Sequence, residues 1–139
     1  MVNVRRKDAQ DPRFVNYEVG NKGNLDVVEE ILDTAYVSHN PGGADLTGPE
    51  EYKQFISGLR TAFPDLRFII DDRFTKEDKV VARWTVHGTH KGEFMGIPPT
   101  SKEVTVTGIV IHRFAGDKIQ ETWEVYDAFG LMQQLGVIP

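Results

Sequence analysis

Apolar residues in the first half of the chain recur at spacings of three and four, which is the pattern of one face of an α-helix. A first helix is predicted over residues 11–20, because Asp11 can cap free backbone N–H groups and Pro12 needs no donor at the first helical position. A second helix is predicted over residues 24–35 and a third over residues 49–63. The first half of the chain is therefore expected to be helical.

After residue 65 the pattern changes to the strict alternation of a β-strand. Four strands are predicted, over residues 66–71, 80–90, 103–114 and 119–126. Asp127 can cap a short closing helix that ends at Gly136. Helices first and strands afterwards indicate an α+β fold, with the helices packed on one face of an antiparallel sheet. Residues 1–139 are expected to form one domain, with residues 1–10 as a flexible lead-in.

Composition narrows the classes of partner. Sixteen Lys and Arg against 21 Asp and Glu give a net charge of −5, which disfavours nucleic acid and an anionic membrane surface. The absence of cysteine excludes disulfides, thiolate nucleophiles and zinc fingers. No apolar run reaches the roughly 20 residues of a membrane span, and no apolar stretch follows the basic N-terminus. We therefore expect a cytoplasmic protein with no membrane or nucleic-acid partner.

Both faces of the later strands carry bulky apolar residues. Val81 lies on one face of its predicted strand and Trp84 on the other, and residues 103–114 repeat this pattern. Antiparallel sheets often leave one face wet, so two apolar faces suggest that helices cover one and a second subunit covers the other. We expect a homodimer that packs through the sheet. The alternative is that Val, Ile and Thr are present only because they favour strands.

Carboxylates on these strands are candidates for acid–base chemistry. Glu121, Glu124 and Asp127 lie on the last strand or at its end. Burial of a carboxylate disfavours its charged form and raises its pKa, which suits a general acid or base. Glu121 and Glu124 are three residues apart, so their side chains point to opposite faces. Asp127 has an alternative role, because it can simply cap the helix that follows.

Three histidines, His87, His90 and His112, lie on the two preceding strands. His87 and His90 are three residues apart, so on a strand they face opposite ways and cannot share a metal ion. His112 is either part of a site or a structural histidine whose ring is satisfied by neighbours. The sequence contains no dinucleotide-binding, phosphate-loop, serine-hydrolase or metalloprotease motif. It therefore predicts neither a metal site nor a cofactor.

Four segments of the sequence form a recognisable set. They are Thr61-Ala62-Phe63-Pro64-Asp65-Leu66, Gly88-Thr89-His90-Lys91-Gly92-Glu93-Phe94-Met95-Gly96-Ile97-Pro98-Pro99-Thr100, Lys118-Ile119-Gln120-Glu121-Thr122-Trp123, and Gly130-Leu131-Met132-Gln133-Gln134-Leu135-Gly136. With these segments the chain, from about Asn24 to its C-terminus, closely resembles the SnoaL-like polyketide cyclase (ester cyclase) family of the nuclear-transport-factor-like and ketosteroid-isomerase-like superfamily. The resemblance implies a cone-shaped barrel, in which a curved antiparallel sheet wraps around the N-terminal helices and encloses an apolar pocket. It also implies subunits that pair sheet on sheet.

The resemblance further implies a reaction. Cyclases of this family close a ring of an aromatic polyketide by an intramolecular aldol reaction without a cofactor, and a carboxylate on the last strand removes a proton beside a carbonyl. That aspartate falls on Glu124 here, which places the carboxylate one methylene further out. The histidine that assists it falls on Val110, which can neither donate nor accept a hydrogen bond. A bulge at the turn over residues 115–118 would decide which face Glu124 occupies.

Three functions are compatible with these residues. The first is an enzyme that acts on a small, largely apolar carbonyl compound by cyclase- or isomerase-like acid–base catalysis, with Glu124 as general base. The second is a small-molecule-binding protein that uses the same pocket, for which Val110 in place of histidine is a sign of lost catalysis. The third is a dimeric interaction module whose pocket is packed shut.

Several other residues are predicted to take part in the site. Asp127 is the rival carboxylate, and the candidates for a donor to a developing oxyanion are His90, His112 and Tyr126. His39 and Phe94 are expected at the opening of the pocket, because each lies in or beside a predicted loop. The expected ligand is a small hydrophobic molecule.

Overall fold

The computed structural model describes residues 11–40 and 43–139, and the predicted lead-in over residues 1–10 lies outside the described residues. The helices are α1 (Pro12–Val15), α2 (Val28–Ile31), α3 (Gly48–Ala62) and α4 (Ala128–Leu135). A π-helical segment (Asn16–Asn21) follows α1, and a 3₁₀ turn (Leu25–Val27) precedes α2. The strands are β1 (Leu32–His39), β2 (Leu46–Thr47), β3 (Arg67–Lys76), β4 (Lys79–Thr89), β5 (Glu103–Ala115) and β6 (Lys118–Tyr126).

The six strands form one curved sheet in the order β2-β1-β6-β5-β4-β3. Neighbours pair antiparallel except β1 and β6, which run parallel. Among the described residues β2 and β3 form the two edges, so the sheet is not closed. The predicted α+β class, with helices on one face of a curved sheet, is confirmed. No described helix combines the length and the apolar character that crossing a membrane requires.

The predicted helix over residues 24–35 is wrong in its second half. The helical segment ends at Ile31, and Leu32–His39 forms β1, whose buried residues include Tyr36 and Ser38. Apolar residues in this region fit both a helix face and a strand face, so the pattern alone is ambiguous. Parallel pairing with β6 decides the outcome, because that pairing buries Tyr36 and Ser38 beneath the helices.

Elsewhere the predicted elements are close to those observed. The last three strands and α3 start and end close to their predicted limits, whereas β3 continues to Lys76, five residues beyond its predicted end. Asp127 caps α4 through its side chain, and Gly136 ends that helix with a positive φ of 80°, a conformation that glycine adopts without strain. The first helix is shorter than predicted and continues as the π-helical segment.

Two clusters of buried apolar residues lie under the helices. The first includes Ile31, Tyr36, Phe114 and Ile119. The second includes Phe63 and Leu131 together with three residues of one face of the sheet, Ala82, Trp84 and Val110. We call the sheet face that carries these three residues the inner face. Along β5 the first cluster ends at Phe114 and the second begins at Val110, and His112 lies between them.

Candidate active site

Glu124 lies on the inner face of β6, directly opposite Val110 of β5. The next strand continues this row with Ala82, the partner of Val110 on β4. Glu121 pairs with Arg113 and therefore lies on the other face, which we call the outer face. The expectation that the two glutamates point to opposite faces is confirmed. Glu124 is the one that faces the helices.

Burial dominates the electrostatics of Glu124. Its pKa rises from 4.5 to about 7, because removal from water disfavours the charged carboxylate. The side chain of Trp84 partly opposes this rise, and no basic side chain among the described residues does so. The Glu124 side chain is nevertheless only half-buried. A carboxyl that is strongly desolvated and still has accessible surface is typical of the wall of a cavity.

Two tyrosines lie on the same side of this carboxyl. Tyr36 of β1 and Tyr52 of α3 meet edge to face, with ring centroids 5.8 Å apart. Burial raises the pKa of both tyrosines, and the nearby Glu124 adds to the rise in each. The hydroxyls of Thr122 and Ser38 partly offset this effect at Tyr36. Both phenols therefore stay protonated at neutral pH and can act as hydrogen-bond donors.

His112 is a further titratable group on the inner face near Glu124. It pairs with Thr122, and its Nδ1 lies 2.8 Å from the Thr122 hydroxyl. Burial lowers the pKa of His112 to about 4, so the ring is neutral at physiological pH. A neutral imidazole cannot hold Glu124 as a carboxylate by ion pairing. Its predicted alternative role, as a histidine with a satisfied partner, matches the Thr122 contact.

Trp84 completes the inner face beside Glu124. It is 5 % exposed, and its Nε1–H has no hydrogen-bond partner among the described residues. The indole packs edge to face on Phe68, with ring centroids 5.5 Å apart. Gly108 lies directly opposite Trp84 in the register. Polar groups that are buried in this way are nearly always hydrogen-bonded in native proteins, so an unpaired indole N–H is unusual.

A second polar cluster occupies the outer face. Glu121 Oε2 lies 2.7 Å from His39 Nε2, and Glu121 Oε1 accepts from Arg113 at 3.0 Å. His39 also meets Asp45 at 3.2 Å and stacks on Trp123 with centroids 5.7 Å apart. These hydrogen bonds lower the pKa of Glu121, with His39 as the largest cause, and raise that of His39. The two glutamates of β6 thus have opposite electrostatic environments.

The sheet brings together four of the predicted site residues and separates four others. Glu124, Val110, His112 and Tyr126 share the inner face through the register of β5 and β6. The four that lie elsewhere are His39, His90, Phe94 and Asp127.

Each of those four has a structural role of its own. His39 belongs to the outer cluster, away from Glu124. Asp127 accepts the N–H of Gly130 at 2.9 Å as the cap of α4, which is the alternative that the sequence allowed. His90 is fully buried at the far end of β4, eight residues beyond Ala82, or about 26 Å along the strand. Phe94 packs against Phe63 near that same end.

Sequence reasoning missed Tyr36, Tyr52, Thr122 and the position of Trp84 as parts of this site. Tyr36 was hidden because residues 32–35 continue a helical spacing. The available signal was the alternation of Leu32, Tyr36 and Ser38 at even positions, which marks one face of a strand. Tyr52 lies on the apolar stripe of α3, where a tyrosine and a phenylalanine give the same pattern.

Two surface depressions lie outside this site. One of about 460 Å³ is lined by residues of α1 and β3, including Arg13 and Arg73. Another of about 290 Å³ lies between the ends of β4 and β5, where it includes His87 and Glu103. Both are polar and contain none of the inner-face residues around Glu124, so burial and register identify the site better than surface shape does.

Comparison with known proteins agrees with this architecture. The model of the SnoaL-like polyketide cyclase family matches residues 13–135. The chain belongs to this family. The match covers every helix and strand that the structure describes, except for Pro12 at the start of α1.

Named relatives of the SnoaL-like chain include two ester cyclases. Aklanonic acid methyl ester cyclase DnrD of Streptomyces peucetius is 27 % identical over 125 residues, which is 86 % of this chain and 84 % of that protein. Nogalonic acid methyl ester cyclase of Streptomyces nogalater is 27 % identical over 120 residues, which is 84 % of this chain and 88 % of that protein. The solved structure of TsrD from Streptomyces laurentii is 26 % identical and superposes with a TM-score of 0.84 over 98 % of this chain and 100 % of its own. Membership of a family with such relatives supports the expectation of an enzyme of cyclase type.

Proposed function

We propose that this SnoaL-like protein is a cofactor-independent enzyme that moves a proton next to a carbonyl group of a small, largely apolar compound. The observation that carries the proposal is Glu124, a half-buried carboxyl on the inner face with a pKa of about 7. A general base works best when its pKa lies near the working pH. Burial thus makes Glu124 a stronger base than an exposed glutamate.

The proposed reaction is an intramolecular aldol closure. Glu124 takes the proton from the carbon beside one carbonyl, and the electron pair of that C–H bond attacks a second carbonyl carbon of the same molecule. A C–C bond forms, and the second carbonyl oxygen becomes an alkoxide that takes a proton. The proton returns from Glu124 or from a phenol such as Tyr36. Substrate and product have the same composition, and only protons are exchanged.

The substrate class follows from the lining of the site and from the relatives. Tyr36, Tyr52, Trp84 and Val110 offer aromatic and aliphatic surface, with few polar groups among them. Two relatives bear the names of cyclases for aklanonic and nogalonic acid methyl esters. We infer that this protein acts on a polyketide ester or a smaller carbonyl compound of similar polarity.

The first test is proton exchange at carbon. The protein is incubated in D₂O with aklanonic acid methyl ester, nogalonic acid methyl ester and a set of simple aromatic 1,3-diketones, and deuterium uptake is followed by NMR. Chromatography of the two esters detects a cyclised isomer of unchanged mass. We expect the rate to rise with pH through about 7, because the base must be ionised.

Matched variants of β6 make this test specific. Glu124→Gln keeps the size of the side chain and removes the base, so exchange should stop. Glu121→Gln makes the same change on the outer face and should leave exchange unchanged. Equal exchange in the wild type and in Glu124→Gln would show that another group is the base.

One observation favours a second function, which is binding without turnover. Val110 lies directly opposite Glu124 and offers no hydrogen bond to it or to a ligand. A protein that only binds would hold the esters tightly by isothermal titration calorimetry and would show no exchange with any compound. Glu124→Gln would then bind at least as well as the wild type, since a buried carboxyl favours the neutral state.

We also propose that the protein forms a homodimer through the outer face. A cross-strand row of apolar residues on that face joins β3 to β6 through the pairs of the sheet: Phe74, Val81, Ile111 and Trp123. Ile109 and Val125 pair beside this row and are 45 % and 54 % exposed. Contiguous exposed apolar surface of this kind is typical of an interface.

The oligomeric state can be measured by sedimentation velocity over a wide range of protein concentration. We expect a dimer for the wild type and a monomer for Ile109→Glu, because a charge there would be buried without a partner. Phe55→Glu is the control, since Phe55 is exposed on α3 and far from the outer face. A monomeric wild type, or a dimer that survives Ile109→Glu, would contradict this interface.

A further inference from the structure

The indole N–H of Trp84 is a buried donor without a partner in the part of the chain that the structure describes. Trp84 is 5 % exposed and lies on the inner face of β4, so its side chain points towards the helices and away from bulk water. A buried donor that is left unpaired destabilises a fold by an amount comparable to a lost hydrogen bond. A ligand that supplies an acceptor here would remove this cost.

The position of the indole depends on Gly108. A Cβ atom on Gly108 would lie 2.6 Å from Cε2 of Trp84, and closer still to Cζ2, so the ring lies over β5 where a side chain would otherwise stand. Cε2 is bonded to Nε1, so the N–H edge of the ring is the part that Gly108 admits. The same Cβ would lie 2.7 Å from the backbone oxygen of Val125 on β6. The missing side chain thus lets Trp84 reach from β4 across β5 towards β6.

The register of the sheet puts that N–H edge beside Glu124. Trp84 pairs with Gly108, and Gly108 pairs with Tyr126. Glu124 is the next residue of β6 on the same face. The Glu124 carboxyl is the acceptor nearest to this N–H, and hydrogen bonding from Trp84 to that carboxyl lowers the pKa of Glu124, although no bond of good geometry forms between the two. Phe68 packs against the indole by an edge contact.

We propose that the Nε1–H of Trp84 donates a hydrogen bond to the carbonyl oxygen of the substrate as Glu124 removes the neighbouring proton. This inference rests on the proposed function, since it assigns the oxyanion donor for that same reaction. In the step, the C–H bond breaks and its proton passes to the Glu124 carboxylate. The electron pair forms a C=C bond, and the π pair of the C=O moves onto oxygen. The Trp84 N–H remains intact and stabilises the resulting enolate oxygen.

Trp84 is a better candidate for this role than Tyr36 or His112. The hydroxyl of Tyr36 has the hydroxyls of Thr122 and Ser38 beside it, and His112 contacts Thr122. Val110, directly opposite Glu124, has no donor. A donor that the sheet holds beside the base before the substrate arrives needs little reorganisation in the transition state.

Phenols provide a test that is independent of turnover, because a phenolate resembles an enolate in charge and geometry. Affinities of a series of substituted phenols and naphthols of increasing acidity are measured by calorimetry for the wild type and for Trp84→Phe. We expect Trp84→Phe to bind the most acidic phenols about 10- to 100-fold more weakly, because a hydrogen bond to a charged group is lost. The affinity of benzene and naphthalene should change little, since the aromatic surface is largely kept.

Two further variants separate the donor from the shape of the ring. The chain has two tryptophans, Trp84 and Trp123, so Trp123→Phe allows β-(3-benzothienyl)alanine to be incorporated at Trp84 alone. This analogue keeps the bicyclic shape and has sulfur in place of N–H, and we expect the same loss as in Trp84→Phe. Gly108→Ala keeps the N–H and displaces it, and it should also weaken phenolate binding. Circular dichroism and urea unfolding show whether each variant is folded.

The possible results distinguish this inference from the proposed function. Loss of phenolate affinity in the benzothienyl protein supports the Trp84 assignment even if no carbonyl compound is turned over. Unchanged phenolate affinity in both folded Trp84 variants overturns it, even if Glu124→Gln abolishes exchange. If Trp84 instead only donates to the Glu124 carboxylate, its replacement raises the pKa of Glu124, so the rise of the exchange rate moves to higher pH. Phenolate binding is then unchanged. That result also overturns the assignment.

Discussion

Replacing Glu124 by glutamine should stabilise the protein at neutral and alkaline pH. The pKa of Glu124 rises from 4.5 to about 7 on folding, because burial penalises the charged form. At pH values below the pKa of Glu124 in the unfolded chain, this carboxyl is protonated in both the folded and the unfolded protein, and its burial does not reduce stability. As the pH rises from 4.5 to about 7, the unfolded state ionises first and the folded state loses stability. Above that range the loss is complete, and glutamine avoids it because it is neutral at every pH.

The shift sets the size of the effect. Each pKa unit corresponds to about 1.4 kcal/mol, so the shift from 4.5 to about 7 corresponds to at most about 3.5 kcal/mol at alkaline pH. The accessible part of the Glu124 side chain lowers this figure, and we expect a gain of about 2–3 kcal/mol. For a chain of this length that is a rise in Tm of about 6–12 °C. At about pH 4 the gain should vanish, since Glu124 is then neutral in both states.

The assay is urea unfolding of the wild type and Glu124→Gln at closely spaced pH values between about pH 4 and pH 8.5. Other groups that face this site contribute equally to both proteins: His112 titrates at about 4, and Tyr36 and Tyr52 stay protonated throughout. Glu121→Gln is the matched control on the outer face. In the wild type, His39 and Arg113 lower the pKa of Glu121, so the Glu121→Gln variant should be less stable than the wild type at neutral pH. A stability difference for Glu124→Gln that does not depend on pH would refute the reasoning.

Three further predictions follow from single contacts. Asp127→Ala should lower the free energy of unfolding by about 1 kcal/mol, and Asp127→Asn by much less, because both Asp and Asn cap a helix. Neither variant should change the rate of proton exchange. Loss of exchange in Asp127→Asn would identify Asp127 as the base. His39→Gln should lower the free energy of unfolding at pH values between the lowered pKa of Glu121 and the raised pKa of His39, where both groups are charged. The stability difference from the wild type should disappear as the pH rises through the pKa of His39, and added salt should reduce it. A difference that persists at alkaline pH would exclude ion pairing as its cause. Asn21→Ala should lower the free energy of unfolding, measured with urea, by about 1–3 kcal/mol. The reason is that the Asn21 side chain donates to the Phe68 carbonyl at 3.1 Å and accepts from the Phe68 N–H at 2.6 Å. A decrease of only a few tenths of a kcal/mol would show that water replaces the side chain.

How far the sequence predicts this fold depends on how local each element is. The strands β3 to β6 follow one another through short connections, so alternation and turn residues were enough to predict them. The strand β1 is different, because its partner β6 lies more than eighty residues later and the two run parallel. Its residues form a strand only once β6 is in place. A pattern within a short window contains no information on a partner so distant.

The site was predictable where it depended on strand position and not where it depended on contacts between elements. Strand position made Glu121, Glu124 and Asp127 candidates, and the resemblance to the SnoaL-like family then singled out Glu124. Tyr52 and Trp84 could not be distinguished from ordinary core residues, because their role depends on what faces them across the sheet and from α3. His90 and Phe94 lie in a segment that identifies the family, yet that segment builds the far end of the sheet. A family motif can therefore mark a structural element as readily as a site.

The orientation of Glu124 depends on one extra residue in β6. Arg113 pairs with Glu121 while the next residue of β5, Phe114, pairs with Ile119, so Gln120 has no partner of its own on β5. Paired residues of an antiparallel sheet share a face, and a shift by one residue exchanges the two faces of a strand. Without this bulge Glu121 would move to the inner face and Glu124 to the outer one. A local irregularity beside the hairpin thus determines which glutamate is removed from water and has its pKa raised to about 7, while the composition of the strand stays the same.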